Sequence, residues 1–297
     1  MKFDGFIKRL FYFFLFSNIF LGLCVTSLVF ETYFILFHQI PELKYPFFLF
    51  CSTLTLYCFH RIYRFDFNAD HDQLSERHIW IKENRILFFT VFALAIIGIL
   101  ISILFFISLK TVLYLSPIAA ASFAYTVHCI PTSKGWIRLR DVPGIKIITI
   151  SLVLGLTTVL LPVFIQDDLS LIKRPEVIMV FLRRVLFIFA ITIPFDIRDV
   201  DYDEAQGTRT IPVVYGIAMA KIIAIIALFI FFISAVVQYF LIPNSNPYYS
   251  ISLSISTGMS ILAILLTNEK RKDVYYSFFV EGMMLLQCLL VMAVHKL

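Results

Sequence analysis

The sequence predicts an all-α fold, a polytopic membrane bundle of nine transmembrane helices. Three observations predict it. First, 60% of the 297 residues are apolar and only 15% are charged, against about 45–50% and about 25% in soluble domains. Second, mean hydropathy is +0.89, and apolar runs long enough to cross a bilayer recur from end to end. Third, Lys and Arg alternate in density from loop to loop. A soluble fold, a disordered chain and a disulfide scaffold are excluded. A transmembrane β-barrel would show ~10-residue segments of alternating polarity, and this chain has none.

At about 20 apolar residues per crossing, the spans fall at about 10–31, 44–63, 86–108, 110–128, 143–165, 177–196, 213–242, 247–267 and 274–295. The connections are too short for a separate soluble domain, which needs at least ~50 residues. Residues 1–297 therefore read as one transmembrane domain, with pseudo-halves at about 1–142 and 143–297.

Orientation follows from the basic residues. With the N-terminus inside, the inner segments hold 18 of the 25 Lys and Arg and the outer ones five. Arg183 and Arg184 lie within span six. The expected location is the cell (inner) membrane, N-terminus cytoplasmic and C-terminus opposite. The net charge of +5 then reflects topology and contact with anionic lipid, not nucleic-acid binding. Lys8-Arg9 before an apolar run imitates a signal peptide, but the run is long and reads as the first span. Cys24, Cys51, Cys58, Cys129 and Cys288 form no CxxC and read as small hydrophobes.

Polar residues concentrate in the inner loops, and the most patterned stretch closes span six. Asp196, Asp199 and Asp203 form DxxDxxxD. On a continuous helix they fall at about 0°, 300° and 340°, one face. Like charges so spaced destabilise a helix by about 0.2–0.5 kcal/mol per pair, and at a membrane edge they cost desolvation as well. A divalent cation bridging to a phosphate offsets both, and Mg2+ is typically held by one or two carboxylates plus substrate phosphates. The plainer reading is a solvated acidic loop that ends the helix.

The run DIRDVDYDEAQGTRTIPVVYG resembles the second aspartate-rich motif of the UbiA superfamily of intramembrane prenyltransferases. The nine spans, the inside N-terminus and the inner loops after spans two, four and six resemble that family's layout across the chain. The resemblance implies a UbiA-like bundle and Mg2+-dependent transfer of an isoprenoid chain from a prenyl diphosphate to an aromatic or other lipophilic acceptor. It implies Asp196, Asp199 and Asp203 as metal ligands and catalytic residues, with Arg198 between them as a substrate contact.

The family's first motif, NDxxDxxxD, should follow span two. Here His60 and Arg61 stand for Asn and Asp, and Arg64 for the next Asp. In one reading His60, Arg61 and Arg64 contact the diphosphate directly, Arg supplying a bidentate fork. In the other they are inner-leaflet anchors. Asp66, Asp70 and Asp72, further on, offer a third possibility for metal. After span four, Tyr125 and Lys146 are the candidates for substrate and diphosphate contact, against a reading as interface anchors.

Within the spans, Arg183 and Arg184 lie about 18–20 Å from Asp196 along a helix, too far to pair with it. One is expected to face the interior and the other to snorkel outward, and Glu281 is a possible partner for an Arg. His38, His71, His78, His128 and His295 have no metal-ligand spacing and read as interfacial. The 33 Phe and 14 Tyr could stabilise an allylic cation at roughly 0.5–2 kcal/mol each, although most will be ordinary packing. No Ser-His-Asp or Cys-His arrangement is visible, and the Asp-Gly-x-x-Ala-Arg of CDP-alcohol phosphotransferases is missing. The rival to a prenyltransferase is a non-enzymatic lipid binder or carrier on the same fold.

Overall fold

A computed structural model describes residues 2–64, 75–132, 135–142, 144–241 and 247–295. Twelve α-helices run in order: α1 (Lys2–Phe16), α2 (Ile19–Phe37), α3 (Lys44–Arg64), α4 (Glu76–Glu83), α5 (Arg85–Phe105), α6 (Leu109–Thr126), α7 (Ile145–Ile165), α8 (Pro175–Arg198), α9 (Val200–Ala205), α10 (Ile211–Leu241), α11 (Pro247–Leu265) and α12 (Glu281–Val294). A π-helical turn, Tyr275–Val280, leads into α12. Between α6 and α7 lies a small antiparallel hairpin of β1 (Ile130–Thr132) and β2 (Gly135–Ile137), an addition to the all-α expectation.

Among the described residues, seven helices are both long and apolar enough to cross a membrane: α2, α5, α7, α8, α10, α11 and the helix ending in α12. Helices α3 and α6 stand where spans two and four were expected. They are more polar, because α3 carries Ser52, Thr53, Thr55, His60 and Arg61, and α6 carries Lys110, Thr111, Ser116 and Ser122.

The first span is displaced. The expected helix at 10–31 breaks at Asn18, whose backbone is left-handed (φ 67°), a conformation Asn tolerates better than most residues. The long crossing is therefore α2, and α1 forms a separate helix packed on α2 and α4.

Helix α2 is the hub. It packs against α3, α7, α8 and α12, while α7, α8, α10, α11 and α12 follow one another around it. Its apolar length is 78% buried, against 28% for that of α5, so α2 forms the core and α5 lies at the periphery of the bundle. Cys24, Val25, Leu28 and Val29 of α2 are fully enclosed, as are Val159, Phe187, Ile193 and Ala224 from its surroundings. Four of the five cysteines are buried, as expected, and Cys129 is exposed.

Candidate active site

The polar end of the bundle is built from the ends of α3, α4, α7, α8 and α12. Helix α8 stops at Arg198, and Asp199 (φ −92°, ψ 9°) joins it to α9. The aspartate motif therefore straddles a helix break instead of lying along one continuous helix. Asp196 sits in the last turn of α8, and Asp203 sits on α9. Both are buried, at 1% and 3% exposure.

Gly144 holds a left-handed backbone (φ 75°) just before α7, a conformation that glycine adopts without steric cost. The turn places Lys146 in the first helical turn of α7. Its Nζ lies 2.6 Å from Asp196 Oδ1 and 3.4 Å from Asp203 Oδ2. Close as the ion pair is, neither oxygen of Asp196 has a well-aligned hydrogen-bond donor. Buried carboxylate oxygens left so are costly and have capacity for a cation.

Asp199 points elsewhere. Arg198 grips it with two bonds, Nε to Oδ1 at 2.7 Å and Nη2 to Oδ2 at 3.0 Å. The third arm of the fork, Nη1, donates to Asp273 Oδ1 at 3.1 Å. Burial works against ionisation of Asp199, but Arg198 outweighs it and holds the carboxyl below its usual value. Among the described residues, no group of three or more His, Cys, Asp or Glu converges as a ready-made metal cluster. The donor set is a pair, Asp196 and Asp203. It fits Mg2+, which takes its remaining ligands from phosphate and water.

Two residues at this end carried no individual signal in the sequence, Arg77 and Asp273. The backbone N–H of Arg77 donates to Asp273 Oδ2 at 3.1 Å, and its guanidinium donates to Ser277 Oγ. Burial opposes ionisation of Asp273, but Arg198 and Arg77 together bring its pKa down to about 2. Arg77 registers in the sequence only as one more inner-loop positive charge. Asp273 follows the basic run Lys270-Arg271-Lys272, which masks it.

On the α3 side, the His60 ring lies 5.7 Å from Tyr57 and 5.6 Å from Tyr125. Tyr125 is buried, with the Arg140 guanidinium 5.5 Å from its ring centre. Arg61 stands within electrostatic reach of Arg77, Arg198, Asp273 and Asp199. His60, Arg61, Tyr125, Lys146 and Arg198, together with the three aspartates, thus gather at one end of the bundle. The Arg64 side chain and Asp66, Asp70, Asp72 and His71 lie outside the described residues.

His78, on α4 beside Arg77, contacts Ser75 at 3.0 Å. Burial, then Arg61 and Arg77, lower its pKa to about 4. A folded-state pKa below the free value near 6.5 means that the unfolded chain binds the proton more readily. Any stability His78 lends is complete above about pH 6.5 and is lost as pH falls toward 4. The protection of α4 amides relative to their intrinsic exchange rate should fall across that window in the wild type and much less in His78→Gln. Identical loss of protection in both would remove His78 from the cause.

The other polar cluster lies deep in the bundle. Arg184 pairs with Glu31 at 3.2 Å and donates to the Leu28 carbonyl at 2.9 Å. Gln287 Nε2 donates to Glu31 at 2.8 Å, and Ser256 reaches Gln287 Oε1 at 3.3 Å. Arg184 is the interior-facing arginine expected of the pair, but its partner is Glu31, not Glu281. Arg183 is buried as well, so neither arginine turns out to lipid.

A chain of long apolar helices whose polar end gathers paired carboxylates, a lysine and several arginines has the form of a multi-pass membrane protein with a charged site at one end of its bundle. The chain belongs to the UbiA prenyltransferase family, whose profile matches residues 65–289. That match begins just after His60, Arg61 and Arg64. Similar solved structures include a UbiA homolog from Archaeoglobus fulgidus bound to GPP and Mg2+, 14% identical over 97% of this chain and 100% of that one, with a TM-score of 0.59. A UbiA homolog from Aeropyrum pernix K1 is 15% identical over 92% and 95%, with a TM-score of 0.56. A digeranylgeranylglyceryl phosphate synthase structure is 18% identical over 98% and 99%, with a TM-score of 0.53. At these identities the likeness is one of fold. Among curated proteins, none matches the chain.

Proposed function

We propose that this protein is a Mg2+-dependent intramembrane prenyltransferase that moves an isoprenoid chain from a prenyl diphosphate to an aromatic or other lipophilic acceptor. We read residues 1–297 as one domain of nine spans in the cell (inner) membrane, with a cytoplasmic N-terminus and the C-terminus opposite. The observation that carries the functional reading is the buried pair Asp196 and Asp203 around Lys146, with hydrogen-bonding capacity left on Asp196.

Asp196 and Asp203 would hold the metal, which would supply Lewis-acid stabilisation of the charge developing on the leaving diphosphate, and Asp199 would join them only on release from Arg198. Lys146 is placed to transfer its ammonium from the carboxylates to phosphate oxygens. Arg61 presents a guanidinium that makes no hydrogen bond or ion pair within the described structure. It is available to a diphosphate, for which its planar fork is suited. His60, Tyr57 and Tyr125 form an aromatic wall beside it, suited to the prenyl C1 end as positive charge develops. Arg198 keeps Asp199 ionised and ties α8 to Asp273, which fixes the helix break that aims Asp196 and Asp203 at Lys146.

The reading is tested by diphosphate release from geranyl diphosphate and longer prenyl diphosphates, with and without Mg2+. Mg2+-dependent release supports it. Lipid binding with no release would leave a carrier on the same fold. Arg61→Ala should weaken diphosphate binding by about 1.5–3 kcal/mol, the scale of a charge-assisted hydrogen bond, and Arg61→Lys should recover only part of that. Wild-type affinity in Arg61→Ala would reassign Arg61 as an anchor.

A further inference from the structure

Arg198 and Asp199 are neighbours in sequence, yet they are held very differently. Arg198 has supports besides Asp199. Its Nη1 donates to Asp273 Oδ1 at 3.1 Å, and the other oxygen of Asp273 is fixed by the backbone N–H of Arg77. Its guanidinium carbon lies 5.4 Å from the ring centres of both Phe195 and Tyr276. Those ring centres are 5.8 Å apart, so the guanidinium sits in the notch between two rings that attract a cation. Tyr276 is fully buried in the π turn, and its hydroxyl donates to the Asn268 carbonyl, which makes the notch rigid.

Asp199 is held by Arg198 alone. Both of its carboxylate oxygens accept from Arg198, and they accept no other hydrogen bond among the described residues. Its side chain is 36% exposed, against 17% for Arg198, and it grows from the join between α8 and α9. An ion pair this open to water is weak. When it parts, Arg198 stays in its notch and the carboxylate is the group that moves. What remains is the Nε–Nη2 edge of a guanidinium, two parallel donors seated by groups that do not depend on Asp199. Such an edge binds a phosphate bidentately as readily as a carboxylate.

We propose that the Nε–Nη2 edge of Arg198 is a diphosphate-binding fork that Asp199 caps in the resting protein, and that an arriving diphosphate displaces Asp199 from it. Asp273 is the positioning residue that keeps the fork in place during the exchange. The proposal rests on the prenyltransferase reading for the identity of the anion. The phosphate oxygens take over the two donors. The freed carboxylate, between Asp196 and Asp203 in the chain, becomes a further acidic ligand for Mg2+. Diphosphate then promotes metal binding, and metal promotes diphosphate binding by the same factor. Asp199 therefore changes sign with conditions: it assists diphosphate binding when Mg2+ is present and competes with it when metal is absent.

The test titrates inorganic diphosphate into the full chain in maltoside detergent with EDTA, followed by calorimetry. Asp199→Asn should bind it about fivefold or more tightly than the wild type, because two charge-assisted donors are uncapped. Asp201→Asn removes an exposed charge two positions on and should stay within about twofold of the wild type. Adding Arg198→Lys to Asp199→Asn keeps the positive charge, removes the fork and should abolish the gain. Adding Asp273→Ala should abolish it too, although that change removes another negative charge, and Asp273→Glu should recover part of it. Unchanged or weaker binding in Asp199→Asn, an equal gain in Asp201→Asn, or a gain that survives Arg198→Lys would each overturn the fork. A gain that survives Asp273→Ala would overturn the role of Asp273. Wild type that binds geranyl diphosphate no better with Mg2+ than without would strike instead at the prenyltransferase reading, while the metal-free comparison still decides the fork.

Discussion

Asp196→Asn and Asp203→Asn are each expected to weaken Mg2+-dependent binding of geranyl diphosphate by about 2–5 kcal/mol, the cost of truncating one member of a buried charge pair, or roughly thirtyfold and more. Both lose a charged ligand that Mg2+ strongly prefers to an amide. Both also leave Lys146 with one counter-charge in place of two. Asp199→Asn should do less to binding, because its carboxylate is already engaged by Arg198. Titrating Mg2+ at fixed diphosphate for the three variants separates these outcomes. Unchanged affinity in both Asp196→Asn and Asp203→Asn would reduce the acidic run to a helix terminator.

The second large effect concerns stability. Glu31→Leu or Arg184→Met alone strands a charge in the bundle core and should cost about 3–5 kcal/mol. Making both changes together removes the whole pair and should be much milder, because a buried ion pair replaced by packed apolar groups is often close to neutral. Thermal denaturation midpoints in one detergent should show two deep single losses and a shallow double loss. Additive losses would mean that the hydrogen bonds to Leu28, Thr158 and Gln287 matter more than the charges.

The helices were legible where apolar length alone decides. Expected spans at 143–165 and 177–196 correspond to Ile145–Ile165 and Pro175–Arg198. The first span was misplaced because Phe and Leu run unbroken past residues 17–18, while the left-handed Asn18 is a backbone event with no Gly or Pro to announce it. The aspartate motif was legible as chemistry but not as geometry. Nothing in DIRDVDYD marks a helix break at Asp199, so the three carboxylates read as one face when they divide between Lys146 and Arg198. Arg77 and Asp273 are 196 residues apart, and Glu31 and Arg184 lie on different helices. Such pairings follow from how helices stack, and a single chain read by local pattern carries no trace of them.

The π turn at Tyr275–Val280 also has a bookkeeping consequence along the chain. A helix of regular pitch covers the same rise with one residue fewer, so this segment holds one surplus residue that the wider turn absorbs. Deleting one position inside it, Phe279 for example, would restore ordinary pitch, and seven steps of about 100° would still end within about 20° of two full turns from Asp273. The seat of α12 against α2 and the side of the helix that carries Asp273 and Ser277 would both be kept. The same deletion on either side of the turn would instead rotate everything beyond it by about 100°, so the segment tolerates a change of length only where the extra residue is stored.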